Sequence, residues 1–365
     1  MSRESWKADG SLAEIISLCL SSDSEFSAKL KKWESRQSID IIDGGLLRFI
    51  PFLYRRILDL NIDARDKNIM RGVYYKSWWY QTVFQQENVK FLESIINDFP
   101  RFALIKGVAL QHSIYRNDPR TRPCDDVDIL VDSRDRIKAV KYLLTRGFRL
   151  DSDYTLTYVM NFRKSASFVN DKISVDLNWG LFEYSRQPKY FRELELQLVK
   201  SGEIDFLTLA DTENLIHTFL HGAGWNSVSS TRWIMDAALL VKKGNIDWQR
   251  FTKIVIANGW QYPLINQIEY LEEFEIFIPR TTKAEIASSK RDHFGEAMYL
   301  YQRQPKLISR RVLRFLYSDY LTYLTVNGFT NSLFNYFRLQ PKVLKNFIVQ
   351  YFLAKTHKKS RSKQI

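Results

Sequence analysis

The sequence predicts an α+β fold: a small mixed β-sheet core flanked by N-terminal helices and a long C-terminal helical region. Three observations lead there. Apolar residues recur at helical spacing through the first hundred residues. From Arg101 the pattern breaks into short apolar or alternating runs closed by glycine, acids or turn residues. After about Phe182 the helical spacing returns. The expected organisation is a helical region over 1–100, an α/β core over 101–182, a helical region over 183–355 and a basic, disordered tail over 356–365.

The N-terminal helices are read from SLAEIISLCL, GLLRFIPFLYRRIL and QENVKFLESIINDF. Asn97-Asp98-Phe99-Pro100 closes the last of them, because the residue before a proline avoids the α region. In the core, FALIKG reads as a buried strand ended by glycine and VALQHSIYR as a short helix. DVDILV is the second strand. SRDRIKAVKYLLTRGF carries an N-cap candidate at Ser133, helical spacing at Ile137, Val140, Leu143 and Leu144, and a stop at Gly147. FRLDSD, TLTYVMNFRK, ASFVN and KISVDLNW follow as strands, with a hairpin turn at VNDK. TENLIHTFLHGAG, RWIMDAALLVKKGN and WQRFTKIVIANGW are the clearest later helices, with stops expected at Gly222, Gly244 and Gly259.

Composition narrows the class. The 365 residues are 45% hydrophobic and 26% charged, which fits a packed globular chain and excludes a disordered one. No uncharged apolar stretch reaches the roughly 18 residues that span a bilayer, and MSRESWKADG has no apolar run of the secretory kind. The two cysteines, Cys19 and Cys124, give no disulfide framework and no Cys-rich metal site, so a cytoplasmic protein is expected. The net charge of +13 is uneven: residues 306–365 hold twelve Lys or Arg against one acid, Asp319. Such a stretch either contacts a polyanion or a membrane surface or forms solvated helix faces and a frayed tail. No Walker A loop, GxSxG elbow or GxGxxG turn occurs.

The chemistry-bearing stretch is RPCDDVDILV, residues 122–131. Asp125, Asp126 and Asp128 crowd the mouth of an otherwise apolar strand. Successive strand side chains alternate, so Asp126 and Asp128 share a face and repel unless something neutralises them. A divalent cation does so, since Mg²⁺ takes one or two carboxylates together with substrate phosphates. Asp176 interrupts ISVDLNW in the same manner. If that strand lies beside DVDILV, three carboxylates converge, a set able to hold two metals about 4 Å apart. Gly107 would let backbone approach a phosphate and Lys106 would add a charge-assisted contact. The plainer alternative makes Asp125 and Asp126 turn residues and pairs Asp128 with an arginine such as Arg122.

Other residues carry weaker signals. His217 and His221 share a helix face, but HTFLH lacks the glutamate of a zinc-protease HExxH, so a polar cluster near an acceptor cleft is expected there. Arg232 and Asp236, four apart, are expected to pair within their helix. Trp179, Trp225, Trp233, Trp248 and Trp260 are expected to pack between helices and sheet.

The order LIKGVAL, then RPCDDVDILV, then ISVDLNW resembles the uncharacterised nucleotidyltransferase-like family of the DNA polymerase β-like superfamily, whose pattern is a strand ending in glycine, a helix, a DxD strand and a later strand-borne acid. RDRIKAVKYLLTRGF, TENLIHTFLHGAGW and RWIMDAALLVKKGNIDW extend the likeness from about Arg101 to Trp260. The resemblance implies metal-dependent transfer of a nucleoside monophosphate from an NTP to an unidentified acceptor, with release of pyrophosphate. It implies Asp126 and Asp128 as ligands of Mg²⁺ or Mn²⁺, Asp176 as the third, catalytic carboxylate holding the second metal, and Lys106, Gly107 and Arg122 beside the nucleotide. The resemblance leaves the acceptor open among a small molecule, a saccharide and a protein. Three positions depart from the pattern: Gly107-Val108 stands where Gly-Ser or Gly-Gly is common, the gap from Gly107 to Asp126 is long, and Asn178 replaces a frequent His. Two other readings compete. One is a non-catalytic nucleotidyltransferase-fold binding module. The other is a DxD glycosyltransferase, in which the apolar strand usually precedes the acids, whereas here ILV follows them.

Overall fold

The computed structural model describes residues 7–290, apart from 9, 38, 40–43, 182–193, 202–203 and 224–230, together with residue 296. The basic stretch 306–365 and Trp225 therefore lie outside the described residues. Helices α1 (Gly10–Leu20), α2 (Asp23–Glu34), α3 (Gly44–Leu47), α4 (Ile50–Asp59) and α5 (Lys67–Ile95) come first. The α/β core follows as β1 (Phe102–Ile105), α6 (Lys106–Ser113), β2 (Val127–Val131), α7 (Arg136–Thr145), β3 (Arg149–Leu150), α8 (Leu156–Phe162), β4 (Ser165–Val169) and β5 (Ser174–Asn178). Strands β6 (Leu196–Ser201) and β7 (Ile204–Leu209) precede α9 (Asp211–Ala223), α10 (Arg232–Lys243), α11 (Trp248–Asn258), α12 (Gln261–Glu272) and α13 (Arg280–Ser288). The fold is mixed α+β, as the sequence predicts. No helix among the described residues is long and apolar enough to cross a membrane.

One sheet runs in the order β3-β4-β5-β2-β1-β7-β6. β2 pairs antiparallel with β1 and parallel with β5, and β1 pairs parallel with β7. Strand alternation divides its two faces. Leu104, Val127, Ile129, Val131, Val175 and Leu177 join a core with the end of α5, α7 and α8. The opposite face holds a smaller cluster, Ala103, Ile105, Leu130 and Leu209 among them, and it is the face that carries Asp128. A third and larger core joins α1, α2 and α4 to α9 through α13, so helices from both ends of the described chain share it. Helix α5 spans two cores. Met70 and Tyr74 belong to the helical one; Phe91, Leu92 and Ile95 belong to the sheet. Its 29 residues correspond to roughly 43 Å at 1.5 Å per residue.

Four expectations change. TLTYVMNF is helical, because the Thr155 hydroxyl accepts from the Tyr158 amide at 3.3 Å and caps α8, and burial of Tyr158 and Val159 outweighs their strand propensity. The sheet gains β6 and β7 after residue 182; in β6, LQLVKS, leucine, glutamine and lysine all favour helix locally and disguise the strand. α7 starts at Arg136 with Asp135 in the cap position, and Ser133 instead offers its carbonyl to Arg136. Gly222 lies inside α9, where a Cβ would come within 2.2 Å of the Trp233 ring; close packing, not helix termination, requires it. Gly244 and Gly259 do end their helices in the left-handed region, at φ of 80° and 74°. Trp179, Trp233 and Trp260 are buried and Trp248 packs against the helical core.

Candidate active site

Two of the three predicted carboxylates stand side by side, and the third leads into the same strand. β2 and β5 run parallel with Asp128 opposite Asp176, so both side chains rise from one face of neighbouring strands, which lie about 4.8 Å apart in any sheet. Asp126 stands two residues earlier, at the entrance to β2, and Asp125 is exposed beside it. Asp128 is 3% exposed. A buried carboxylate needs a partner, and Asp128 has one: Lys106 Nζ donates to its Oδ1 at 2.5 Å. The sequence alternative of an Asp128–Arg122 pair is replaced by this contact.

Local backbone geometry makes the contact. Ile105 is the last residue of β1 and is registered against Asp128. Lys106, the first residue of α6, then turns into the left-handed region at φ 53°. That conformation costs a side-chain-bearing residue about 1–2 kcal/mol. The positive φ therefore falls on the lysine, not on Gly107. Gly107 serves a different need: a Cβ there would come within 2.9 Å of Cys124 Cβ and 3.4 Å of Arg122 Nη1. Its missing side chain lets α6 lie against the segment that delivers Asp126.

Electrostatics follow from this packing. Burial pushes Asp128 up to about 7, and Asp126 and Asp176 add to the push while Lys106 opposes it. Asp126 is raised as well, by burial and then by Asp176. For Lys106, burial works against the charge, but attraction to Asp128, Asp176 and Asp126 outweighs it and raises the ammonium. One lysine thus serves three carboxylates, and the site holds more negative charge than it neutralises. Among the described residues no three His, Cys, Asp or Glu side chains form a ready-made metal cage. The donor chemistry nevertheless suits a hard divalent cation, which takes oxygen ligands and shares them between one or two carboxylates and substrate phosphates.

Sequence reading missed Ser167, which holds one of these acids, and took Asn178 only as a departure from the family pattern. Ser167 on β4 is registered against Asp176 and donates to its Oδ1 at 2.5 Å. The turn at Asn170–Ile173 sets that register, with the Asn170 side chain accepting from the Lys172 and Ile173 amides. Asn178 donates to the Asp176 carbonyl at 2.8 Å and reaches Asp128 Oδ1 at 3.5 Å. His217 is buried and its ring stacks on His221 at 6.0 Å; burial, then His221 and Lys106, hold its imidazole well below the usual range.

The approach to Asp126 is clamped from two sides. Gln81 of α5 donates to the Cys124 carbonyl at 2.9 Å and accepts from the Cys124 amide at 3.2 Å. Gln111 of α6 donates to the Arg122 carbonyl at 2.7 Å. Arg122 is buried and makes a two-pronged pair with Asp236 of α10, at 2.9 and 2.7 Å, and Tyr115 donates to the same carboxylate at 2.8 Å. Asp236 therefore faces Arg122, not Arg232 as the helical spacing suggested. Arg232 instead donates to the Pro123 carbonyl at 2.5 Å.

No curated protein matches the chain. Residues 50–274 match the model of a family described as uncharacterised nucleotidyltransferase, a span that runs from α4 through the sheet and its carboxylates into α12. On that match the chain belongs to the uncharacterised nucleotidyltransferase family.

Proposed function

We propose that this chain is a metal-dependent nucleotidyltransferase that moves a nucleoside monophosphate from an NTP to an acceptor and releases pyrophosphate. The observation that supports it most is the register that sets Asp128 beside Asp176, with Asp126 leading into the same strand. Asp126 and Asp128, with Asp176, would hold Mg²⁺ or Mn²⁺, and the bound ion would supply charge neutralisation at the reacting phosphate.

The chain's own groups do the rest. Lys106 opens α6, and its ammonium together with the free amides of that helix's first turn offers positive charge to the triphosphate. Asp176, oriented by Ser167, takes the proton of the acceptor group. The acceptor oxygen or nitrogen bonds to the α-phosphorus as the bond to the pyrophosphate oxygen breaks. Arg122 is committed to Asp236, so it acts on the nucleotide through the position of the 122–126 segment.

The test is transfer of α-labelled phosphate from each NTP to a cell-extract fraction, with Mg²⁺ or Mn²⁺. Label should appear on one acceptor class with the parent chain and be absent with Asp126→Ala or Asp128→Ala. Equal transfer by both variants would sink the reading.

A further inference from the structure

Helix α5 carries an exposed side that the carboxylate site does not use. Tyr75, Trp79 and Tyr80 are 56%, 57% and 56% exposed, and Ile69 and Val83 are exposed with them. Helical spacing gathers these five on one side of α5, opposite the buried Met70, Tyr74 and Gln81. Single exposed apolar residues need no explanation, but a contiguous group of large ones marks an interaction surface. Its charge has one sign. Residues 67–86 include Lys67, Arg71 and Lys76 and no acid. Lys76 falls among the rings and Arg71 at their edge, and both are exposed. The described acids around the helix are engaged elsewhere: Asp59 by Arg55, Asp66 by Arg65, Glu87 by Lys90 and Asp118 by Arg120. Asp63 stands exposed in the loop before the helix.

We infer that this side of α5 lies on an anionic membrane surface, with Tyr75, Trp79 and Tyr80 at headgroup depth and Arg71 and Lys76 on the headgroup charges. Charge complementarity and ring chemistry carry the argument together. Tyr and Trp, apolar bodies with a polar tip, favour the membrane–water boundary, and cations beside them favour anionic lipid. The charge of the whole chain has the same sign, +13 with every residue counted. No described helix is long and apolar enough to span, so the contact is peripheral. A second copy fits less well, because an acid-free face laid on itself sets cations against cations. A nucleic acid strand fits less well too: the Trp79 and Tyr80 rings cross at 77°, and successive bases stack on rings lying parallel to them. Gln81, on the opposite side of the same helix, grips both backbone groups of Cys124, two residues before Asp126. A bound membrane would therefore fix how the carboxylate site is oriented to the bilayer.

The experiment is co-sedimentation of the full chain, without metal or nucleotide, with vesicles of mixed phosphatidylglycerol and phosphatidylcholine and with vesicles of phosphatidylcholine alone. The mixed vesicles should bind the chain more tightly. Trp79→Ser with Tyr80→Ser should weaken that binding about tenfold or more, through lost apolar burial, and Lys76→Glu about tenfold, through reversed charge. These side chains are exposed, so each variant should melt as the parent does. The inference falls if the parent chain does not bind the mixed vesicles. It falls if the double variant binds them unchanged, which would leave the attraction to the basic stretch 306–365. It falls as well if a single-stranded oligonucleotide binds more tightly than the vesicles and loses that binding in the double variant. The last overturning result is a parent dimer that the double variant turns into a monomer in sedimentation velocity, which would put a second copy on this face. Since no nucleotide is present, failure here leaves the nucleotidyltransferase reading as it stands.

Discussion

The segment from Arg122 to Asp128 joins two neighbourhoods that are out of charge balance in opposite directions. At its C-terminal end, Asp126 and Asp128 with Asp176 share one ammonium, and burial drives Asp128 up to about 7. At its N-terminal end, Arg122 takes the one carboxylate, Asp236, and burial drives the neighbouring Arg232 down to about 10. The difference lies in what each end has built to hold its charge. The acidic end uses strand register and one lysine bent out of ordinary backbone geometry. The basic end uses a two-pronged ion pair, a tyrosine hydroxyl and two glutamines from separate helices. A folded chain rarely keeps uncompensated charge buried without a ligand to meet it, so the acidic end reads as ligand-facing, whereas the basic end, whose arginines are held by Asp236 and the Pro123 carbonyl, reads as structural.

The comparison is broken most severely at the acidic end. Asp128→Ala should lower nucleotidyl transfer about 10³-fold, since the charge clamp on a transferring phosphate supplies several kcal/mol. A steady-state assay of label transfer checks this, beside a thermal melt of the same preparation, and transfer at the parent rate would take the acidic end out of the chemistry.

At the clamp the expected effect is on stability. Asp236→Ala leaves Arg122 buried without its partner, which costs about 3–5 kcal/mol by comparison with other broken buried pairs. The pair Arg122→Met with Asp236→Leu should recover much of that, because an apolar replacement removes the desolvation cost as well. Urea titration of the parent, single and double variants checks this. A double variant no more stable than Asp236→Ala would mean that the pair fixes the segment rather than merely neutralising itself.

Gly107→Ala should cost about 1–3 kcal/mol by overpacking against Cys124, whose Cβ would be 2.9 Å away. It should also reduce transfer, because the segment that must yield is the one delivering Asp126. Gly244→Ala is the control: it is strained at φ 80° but has nothing within 4 Å, so it should lose about 1 kcal/mol and no activity. Thermal melts and the transfer assay on both variants compare them.

Much of this was legible before any coordinates. The DxD spacing and the interrupted strand at Asp176 single out three carboxylates, and a parallel pairing sets Asp128 beside Asp176. What the sequence conceals is long-range or disguised. Asp236 follows Arg122 by 114 residues, and its i,i+4 relation to Arg232 offers a local partner that the fold declines. The hairpin at Asn170 implies the Ser167–Asp176 pair once its register is fixed, so that contact was available but unread. Strand β6 was lost because its leucines, glutamine and lysine favour helix locally, while pairing along β7 at the sheet edge rewards an extended chain. Lys106 gives no sign of its positive φ, because the glycine beside it draws the eye for a property it does not use.

The smallest effect tests whether the clamp couples the two ends. Both thiols are pushed up to about 12 by burial, so neither Cys19 nor Cys124 should react with iodoacetamide at pH 8 while the chain is closed. Tyr115→Phe removes one hydrogen bond to the Asp236 carboxylate, worth about 1.5 kcal/mol. If that loss is felt locally, the segment carrying Cys124 opens about tenfold more often, because local opening follows its own free energy. Cys124 should then alkylate about tenfold faster, and Cys19, in the helical core, should keep its parent rate. Peptide mass mapping over time separates the two sites. Equal acceleration at both cysteines would show that the hydrogen bond supports the whole fold, and the segment would lose its standing as a joint between two charged neighbourhoods.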